Sequence, residues 1–410
     1  MPPVIQFGID SVIDLHLADG VLVAECGAPR TDPLEDPAQA VAQALADPLD
    51  FPPLAKGTTP GDRVVVTLGH DVPRAAQVVG AAVEYLVQGG VQPDGISVLQ
   101  SQCDVEAGTT DVCRLLPAKW RDRITRSIHD PTDRGRLAYL AATDAGEPIL
   151  LNRAITDADV VLPIGAMNRR KEAGCFGIHS TVFPAFSDQR ALARFRSRGA
   201  LETDGPRKKR LVDEANQVGW LLGVTFTIQV IPGPGDTILH VVAGEVGAVA
   251  RRCHALYREA WGCAVPRRAS LVVAAIQGGP VQQTWHNFGQ ALAAAAPLVE
   301  DGGAIAVCSD IVAAPGPGIQ RLAGSRSRGA ALRTVVHERL EDALQALQLV
   351  QTLKRARVYL LSGLDREMLE ELDIAPIGGP AELARLAARH PSCIVLANAP
   401  LAMVSVEDGQ

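Results

Sequence analysis

Runs of buried apolar residues separated by polar turns recur along the chain, and they predict an α/β protein. Residues 61–103 predict a β-α-β unit: strand VVVTL, turn GHDVPR, an amphipathic helix that stops at Gly-Gly, and strand ISVLQ. Residues 157–165 predict another buried strand, DADVVLPIG. Because the carboxyl ends of parallel strands share one edge of a sheet, we expect the polar turns after these strands to meet there.

The remaining elements predict a second sheet and two domains. VIQFGID and VIDLHLADGVLVAEC alternate like a small antiparallel sheet with a hairpin at Asp19 and Gly20. WLLGVTFTIQVI and TILHVVAGEV predict a long hairpin, and VGAVARRCHALYREAWG predicts a helix. From Ala269, ASLVVAAIQGGP, WHNFGQALAAAAPLV and AIAVCSD predict another β-α-β unit. We therefore predict two α/β domains, residues 1–264 and 265–410, with a ligand-binding cleft between them.

Composition narrows the classes of partner. A net charge of −7 gives no basic surplus for nucleic-acid binding, and no apolar run approaches the length of about 18 residues that spans a bilayer. The start, MPPVIQFGID, lacks the pattern of a signal peptide. The eight cysteines form no CxxC pair, which predicts buried thiols in a reducing cytoplasm and neither a disulfide framework nor a zinc site. The oligomeric state stays open.

The candidate chemistry lies in the polar turns. The turn after Gly165 carries Arg169, Arg170, Lys171, Glu172, His179 and Ser180, and a solvated charge cluster explains it as well as a ligand site does. A single histidine is more often structural, and we assign His16, His337 and His390 that way. His70, His179 and His286 stand at strand ends, where function and structure are equally good explanations. No GxGxxG, GxSxG or HExxH motif and no metal-ligand pair of histidines occurs.

Several segments, in order, resemble the lactate racemase family. GDRVVVTLGHDVPR resembles the family's first strand and Asp-x-Thr-Arg-Pro turn, and TDAGEPILLNRAITDADVVLPIG matches its Thr-x-x-Gly-x-Pro-x-x-x-Asn-Arg…Ala-Asp stretch. AGCFGIHSTVFPA has the frame of its Ala-Gly-Phe-Ser-Gly-Gly-x-Lys-x-x-x-Pro-Gly loop. The agreement continues through VDEANQVGWLLGVTFTIQV, LVVAAIQGGP and EDGGAIAVCSD, so it extends over nearly the whole chain.

The resemblance implies hydride transfer on a 2-hydroxy acid. The family's cofactor is a nickel-pincer nucleotide, tethered to a lysine through a thioamide, whose nickel is held by sulfur, carbon and a histidine. Two further histidines exchange the hydroxyl proton while the pyridinium ring takes the Cα hydride and returns it.

This chain departs from the family at those positions. The tethering lysine falls on Ser180, a proton-transfer histidine falls on Arg170, and the nickel-ligand histidine falls near Arg196. The other histidine falls near Gln102 or Cys103. The aspartate and arginine of the family's first turn fall on Gly69 and Val72, and Asp71 and Arg74 each lie two places further on. In the second domain, the family's glutamine and lysine fall on Asn287 and Gln290. Serine offers no thioamide tether, and protonated arginine does not ligate nickel.

Three hypotheses follow. The first is an isomerase-like enzyme on the racemase scaffold, acting on a small 2-hydroxy acid without the tethered nickel cofactor. The acid–base candidates are then His70 with Asp71 and His179, whereas Arg170 and Arg196 bind the carboxylate. The candidates for cofactor binding are Arg74, Ser180, Arg196, Asn287 and Gln290. The second is a non-catalytic paralogue that binds a small anion or a partner. The third is a nickel-dependent racemase that uses Lys171 as the tether. Sequence alone leaves catalysis, the substrate and any cofactor open.

Overall fold

The strongest apolar runs form the central strands of two parallel sheets. A computed structural model describes residues 2–102, 111–143, 146–167, 176–201, 205–325 and 327–407. The chain divides into two compact units. The central unit comprises Thr31–Gly233 and Thr237–Tyr257, and the terminal unit comprises Met1–Arg30, Pro234–Asp236 and Arg258–Gln410. The α/β fold class is confirmed. The central unit is an insertion in the sequence of the terminal unit, which differs from the predicted division into 1–264 and 265–410.

The central unit is built on a six-stranded sheet in the order β11-β10-β9-β4-β5-β6. Its strands are parallel except for the β10–β11 hairpin. The predicted β-α-β unit is confirmed, because the helix Ala75–Gln88 connects β4 to its neighbour β5. The bounds are β4 Val64–Leu68, β5 Ile96–Ser101, β6 Thr125–His129, β9 Val160–Ala166, β10 Phe226–Pro232 and β11 Ile238–Glu245, with a separate antiparallel pair of β7 Leu137–Ala142 and β8 Pro148–Asn152.

Apolar layers cover both faces of this sheet, which is why all five residues of β4 are buried. Val64, Val66 and Leu68 face a core shared with α1 and α2, whereas Val65 faces a second core shared with α6. The helices of this unit are α1 Pro37–Ala46, α2 Ala75–Gln88, α3 Ala118–Arg121, α4 Arg153–Thr156, α5 Gln189–Phe195 and α6 Pro206–Leu221. Helix α7, Val246–Trp261, runs from the central unit into the terminal unit.

The terminal unit has its own parallel sheet in the order β16-β15-β14-β13-β17-β3. The β-α-β unit predicted from Ala269 is confirmed by β13, α8 and β14. The bounds are β3 Leu22–Cys26, β13 Ala269–Ala275, β14 Val299–Cys308, β15 Arg357–Leu361, β16 Ile374–Ile377 and β17 Cys393–Leu396, and two smaller pairs are β1 Val4–Phe7 with β2 Ser11–Asp14 and β12 Gly262–Val265 with β18 Met403–Val406. Its helices are α8 Trp285–Ala295, α9 Pro317–Gln320, α10 Arg328–Glu338, α11 Ala343–Leu353, α12 Arg366–Glu371 and α13 Pro380–Ala387.

The predicted hairpin at Asp19 and Gly20 is wrong. The antiparallel turn lies earlier, between β1 and β2, and β3 leaves that pair to lie parallel to β17. The alternating pattern of β3 is equally compatible with either partner, and β17 is a fully buried strand that needs a neighbour on that side. A second correction concerns residues 220–222, predicted as the start of a strand. They end helix α6 instead, because Gly223 at φ +66° closes it.

The cysteine prediction is also corrected. Cys26 and Cys263 form a disulfide across 237 residues of sequence, with Cα atoms 6.0 Å apart. The pairing of β3 with β17 and the course of α7 bring the two together, so no local spacing could predict it. The expectation of free, buried cysteines holds for four described ones: Cys113, Cys253, Cys308 and Cys393. None of the described helices is long and apolar enough to cross a lipid bilayer.

Candidate functional site

The candidate site lies at the carboxyl edge of the central unit's sheet. The chain moves outward from β4 to β5 and β6, and it later returns to the other side of β4 with β9. Open α/β sheets bind ligands where the strand order reverses in this way, outside the carboxyl ends of the strands. The turn 69–74 follows β4 at this point, and the segment after β9 leads into a 3₁₀ turn, Ile178–Thr181.

Gly69 brings these two segments together. Its backbone N–H donates to the Ile164 carbonyl at 2.7 Å, which continues the β4–β9 pairing beyond Leu68. A Cβ at position 69 would lie 3.1 Å from both the Ile164 oxygen and Cγ2 of Thr181. A glycine therefore permits the 3₁₀ turn to pack directly on the backbone after β4. The prediction that the polar turns meet at one edge is confirmed for these described residues.

The turn 69–74 holds a histidine–aspartate pair on an unusual backbone. Nε2 of His70 lies 3.2 Å from Oδ2 of Asp71, and their side chains are 49% and 33% exposed. Asp71 has φ +55° and Arg74 has φ +52°, a left-handed conformation that costs non-glycine residues energy and that clusters at functional sites. Arg74 is also the N-cap residue of α2, and its own side chain does not cap that helix end. The turn thus combines an acid–base group with a helix terminus that attracts anions.

His179 lies in the 3₁₀ turn, with both ring nitrogens against oxygen atoms of the protein. Nδ1 is 2.9 Å from Oδ1 of Asn216, and Nε2 is 3.3 Å from the Val224 carbonyl. The ring packs closely over Gly219 of α6, where a Cβ would lie 2.2 Å from Cδ2 of the imidazole. These contacts favour an anchoring role, in which His179 fixes the 3₁₀ turn to α6. Its predicted acid–base role stays a prediction.

Ser180, aligned with the family's tethering lysine, is used within its own turn. Its hydroxyl donates to the Gly177 carbonyl at 2.5 Å, and its backbone N–H donates to the same oxygen at 3.1 Å. Gly177 has φ +87°, which turns that carbonyl toward the serine. The Ser180 hydroxyl therefore stabilises its own turn through this hydrogen bond.

Of the two arginines predicted to bind a carboxylate, the structure describes Arg196 but not Arg170. Arg196 lies at the C-cap of α5, half-buried, and its guanidinium has no hydrogen bond or ion pair with a described residue. The nearby Asp188 caps the other end of α5, where it accepts a hydrogen bond from the Ala191 N–H at 3.0 Å. Arg170 lies outside the described residues, as do Lys171 and Glu172.

The site candidates of the terminal unit lie on α8. The Asn287 side chain donates to the Gln282 carbonyl at 2.8 Å, which joins the helix to the turn before it. Gln290 follows one turn later. His286 receives a hydrogen bond at Nδ1 from the Gln345 amide of α11, at 3.0 Å, so it has a structural partner. A role for Asn287 and Gln290 in cofactor binding stays a prediction.

A buried polar network in the central unit was not evident from the sequence. His129, only 2% exposed, donates from Nε2 to the Ser187 carbonyl at 2.8 Å, and Nδ1 accepts from the Asn152 amide at 3.1 Å. Asn152 in turn caps α4 by accepting from the Ala154 N–H. Burial lowers the pKa of His129, so the neutral ring is favoured. The position of His129 at the end of β6 was the available signal.

A second such network crosses the sheet edge next to the site. The buried Gln229 side chain donates to the Thr227 hydroxyl at 3.0 Å, and that hydroxyl donates to the Pro163 carbonyl at 3.0 Å. A Cβ on Gly165 would lie 2.8 Å from the Gln229 amide, so a glycine is required where β9 ends. These bonds fix the end of β9 against β10, at the start of the segment that leads to the 3₁₀ turn.

The described residues at the family's key positions do not fit a lysine-tethered nickel nucleotide. Ser180 has no amine to form the thioamide, and Arg196 is a protonated guanidinium where a nickel ligand is expected. Within the described ranges, no group of three or more His, Cys, Asp or Glu side chains is placed to hold a metal ion.

Comparison with known proteins finds a family model that matches part of the chain. Residues 9–203 match the model of the lactate racemase N-terminal domain. The match covers just under half of the chain. The family resemblance predicted from the sequence is thereby confirmed, and the matched segment contains the turn 69–74 and the 3₁₀ turn.

Solved structures share the fold of this lactate-racemase-like chain. The lactate racemase apoprotein from Thermoanaerobacterium thermosaccharolyticum is 14% identical, with a TM-score of 0.78, and the match covers 99% of this chain and 100% of the other. A protein from Thermotoga maritima is 12% identical, with a TM-score of 0.64, and the match covers 92% of this chain and 99% of the other. No curated protein sequence matches significantly.

Proposed function

We propose that this lactate-racemase-like chain binds a small 2-hydroxy acid at the turn 69–74 and exchanges its hydroxyl proton through His70, without a lysine-tethered nickel nucleotide. The observation that carries the proposal is the His70–Asp71 pair, held on a strained turn at the edge where the sheet reverses its strand order. The activity that this implies is a racemase- or epimerase-like isomerisation, which also requires a hydride acceptor that is not tethered to the chain.

The pair defines which atom handles the proton. An ionised Asp71 carboxylate only accepts hydrogen bonds, so it selects the tautomer of His70 that carries its proton on Nε2. Nδ1 is then the basic nitrogen of the ring, and it accepts the proton of the substrate's 2-hydroxyl. Aspartate also stabilises the imidazolium that forms, as in other oriented histidine bases.

The substrate's carboxylate is assigned to the amino end of α2. The first N–H groups of a helix attract anions, and Arg74 adds a guanidinium at the same position. Arg196 is a second candidate for this contact. Cleavage of the Cα–H bond also needs an electron sink, which in the family is the cofactor. Ser180 and Arg196 do not fit that tethered group, so the residues of this site account for the proton and the carboxylate only.

A non-catalytic, anion-binding paralogue is the second candidate. It is favoured by the observation that the hydrogen-bonding groups of His179 and Ser180 are used inside the chain. A nickel-dependent racemase is the third, and it requires a tether at Lys171. The mass of the intact protein after co-expression with cofactor-making enzymes separates this third candidate, since an adduct on Lys171 would support it.

The test combines binding with turnover. D-lactate, L-lactate and propionate, which lacks the 2-hydroxyl, are titrated calorimetrically, and the two lactate enantiomers are separated chromatographically after incubation. We expect Arg74→Gln to weaken lactate binding by about tenfold, or about 1.4 kcal/mol, whereas Arg252→Gln, an exposed control on α7, leaves it unchanged. We expect His70→Asn to keep binding and lose interconversion.

The outcomes separate the candidates. Binding without interconversion by the wild-type chain would favour the anion-binding paralogue. Failure to bind either lactate, or equal binding by the Arg74→Gln and wild-type chains, would refute the placement of the ligand at this turn.

A further inference from the structure

The chain passes between its two units at two main junctions, and a cysteine stands beside each. It leaves the terminal unit after Arg30 and returns to it at Arg258, apart from the short excursion Pro234–Asp236. Cys26 precedes the first junction, Cys263 follows the second, and a disulfide joins them. The Arg30 N–H also donates to the Ala260 carbonyl at 3.2 Å, so the two junctions are in direct contact.

The Cys26 side of this link is rigidly held. The Cys26 carbonyl accepts from the Ala397 N–H at 2.8 Å, and the Gly27 carbonyl accepts from the Asn398 amide at 3.0 Å. Gly27 has φ +85°, and a Cβ there would lie 1.6 Å from the Ala397 oxygen. The first junction therefore begins at a fixed point beside β17.

Cys263 is more exposed to solvent than Cys26. Cys263 is the second residue of β12, which pairs with β18 alone and lies outside the main sheet. It is half-buried, whereas Cys26 is 4% exposed. A thiol reagent therefore reaches Cys263 first. Disulfides that are accessible in this way are the ones that exchange, since attack requires a path to one sulfur.

The other described cysteines are poorly suited to thiol–disulfide exchange. Burial raises the pKa of Cys113 to about 11 and the pKa values of Cys253, Cys308 and Cys393 to about 12. These groups stay protonated near neutral pH, and the thiolate is the reactive form.

We propose that Cys26 and Cys263 form a reversible redox clamp that closes the two junctions covalently. In the reduced chain, the Cys263 thiolate attacks a small-molecule disulfide, forming a mixed disulfide and releasing one small thiolate. The Cys26 thiolate then attacks Sγ of Cys263 and displaces the second small thiolate. The two cysteines lose two protons and two electrons in total, and the small disulfide is reduced to two thiols.

The test uses the full chain in glutathione buffers, from fully reduced to fully oxidised. Thiols are alkylated in denaturant without reductant, and peptides are mapped by mass spectrometry. We expect the oxidised chain to carry two fewer alkyl groups than the reduced chain and to yield a peptide pair that links Cys26 to Cys263. The midpoint of thermal unfolding is expected to fall by about 5 °C on reduction, because the bond closes a very long loop.

Trypsin supplies a second readout, since Arg30 at the first junction is accessible at the surface. Cleavage after Arg30 should leave the first fragment attached to the rest on a non-reducing gel and release it on a reducing gel. In Cys263→Ser the fragment should be released on both gels, and the unfolding midpoint should no longer depend on the buffer. A wild-type chain without the cross-link in oxidised buffer would overturn the proposal. So would a cross-link that glutathione reduces only after the chain is unfolded.

Discussion

Replacing Gly219 by alanine tests whether His179 anchors the 3₁₀ turn to helix α6. A methyl group at position 219 would lie 2.2 Å from Cδ2 and 2.6 Å from Cγ of the imidazole, closer than any real contact. The ring lies between its two hydrogen-bond partners, so it has no room to move without leaving Asn216 and Val224. We expect Gly219→Ala to displace His179 and detach the 3₁₀ turn from the helix.

Two effects of opposite sign decide the magnitude. Alanine in a helix is more stable than glycine by about 1 kcal/mol, which favours the variant. Losing the two hydrogen bonds of His179 costs about 0.5–1.5 kcal/mol each, so about 2 kcal/mol in total. The free energy of unfolding should therefore fall by about 1 kcal/mol. If the ring made no contact, it should instead rise by about the same amount.

Urea unfolding of a double-mutant cycle measures both terms. In a His179→Ala chain the clash is absent, and Gly219→Ala should become stabilising by about 1 kcal/mol, which gives a coupling of about 2 kcal/mol. Gln217→Ala, on the exposed side of α6, is the control and should change little. A Gly219→Ala substitution that stabilises the chain equally in both backgrounds would refute the anchoring role of His179.

Two further predictions concern pH and helix capping. Burial lowers the pKa of His129, so the unfolded chain takes up a proton at this residue at a higher pH than the folded chain does. The free energy of unfolding should therefore fall as the pH drops below the unfolded pKa of about 6.5. Urea unfolding at several pH values should show a shallower fall for His129→Gln than for the wild-type chain. The Glu245 carboxylate caps α7 by accepting from the Gly247 and Ala248 N–H groups, and Glu245→Ala should cost about 1 kcal/mol, whereas the exposed Glu259→Ala on the same helix should cost little. Equal losses for the two glutamate variants would contradict the capping role.

The hydrophobic pattern predicts the central elements well because they are buried on both faces. The run VVVTL is rich in β-branched residues and is bounded by polar turns, which favours a buried strand. The helix after it has a clear apolar face and a Gly-Gly end. The location of the turn 69–74 follows from that strand. The left-handed conformation of Asp71 and Arg74 does not follow from the sequence, since neither residue type requires a positive φ.

The predictions that were wrong or incomplete share a physical cause. Which strand or side chain a segment contacts depends on residues far away in the sequence. The sequence of β3 specifies a strand but not its neighbour, and β17 lies at the other end of the chain. The anchors of His179 at Asn216 and Val224 likewise lie on another part of the chain. The apolar residues 220–222 resemble a strand because a short apolar run carries no period of its own.

The pairing of β3 with β17 has a consequence for synthesis on the ribosome. Residues 22–26 emerge early, yet the strand they pair with is made only after the whole central unit has been translated. For most of that time β3 is an unpaired edge, and its short length and the exposed Glu25 limit its attraction to other chains. The central unit can fold while it is being made, but the terminal sheet can close only near the end of translation. A bond between Cys26 and Cys263 can therefore form only after the central unit has been translated.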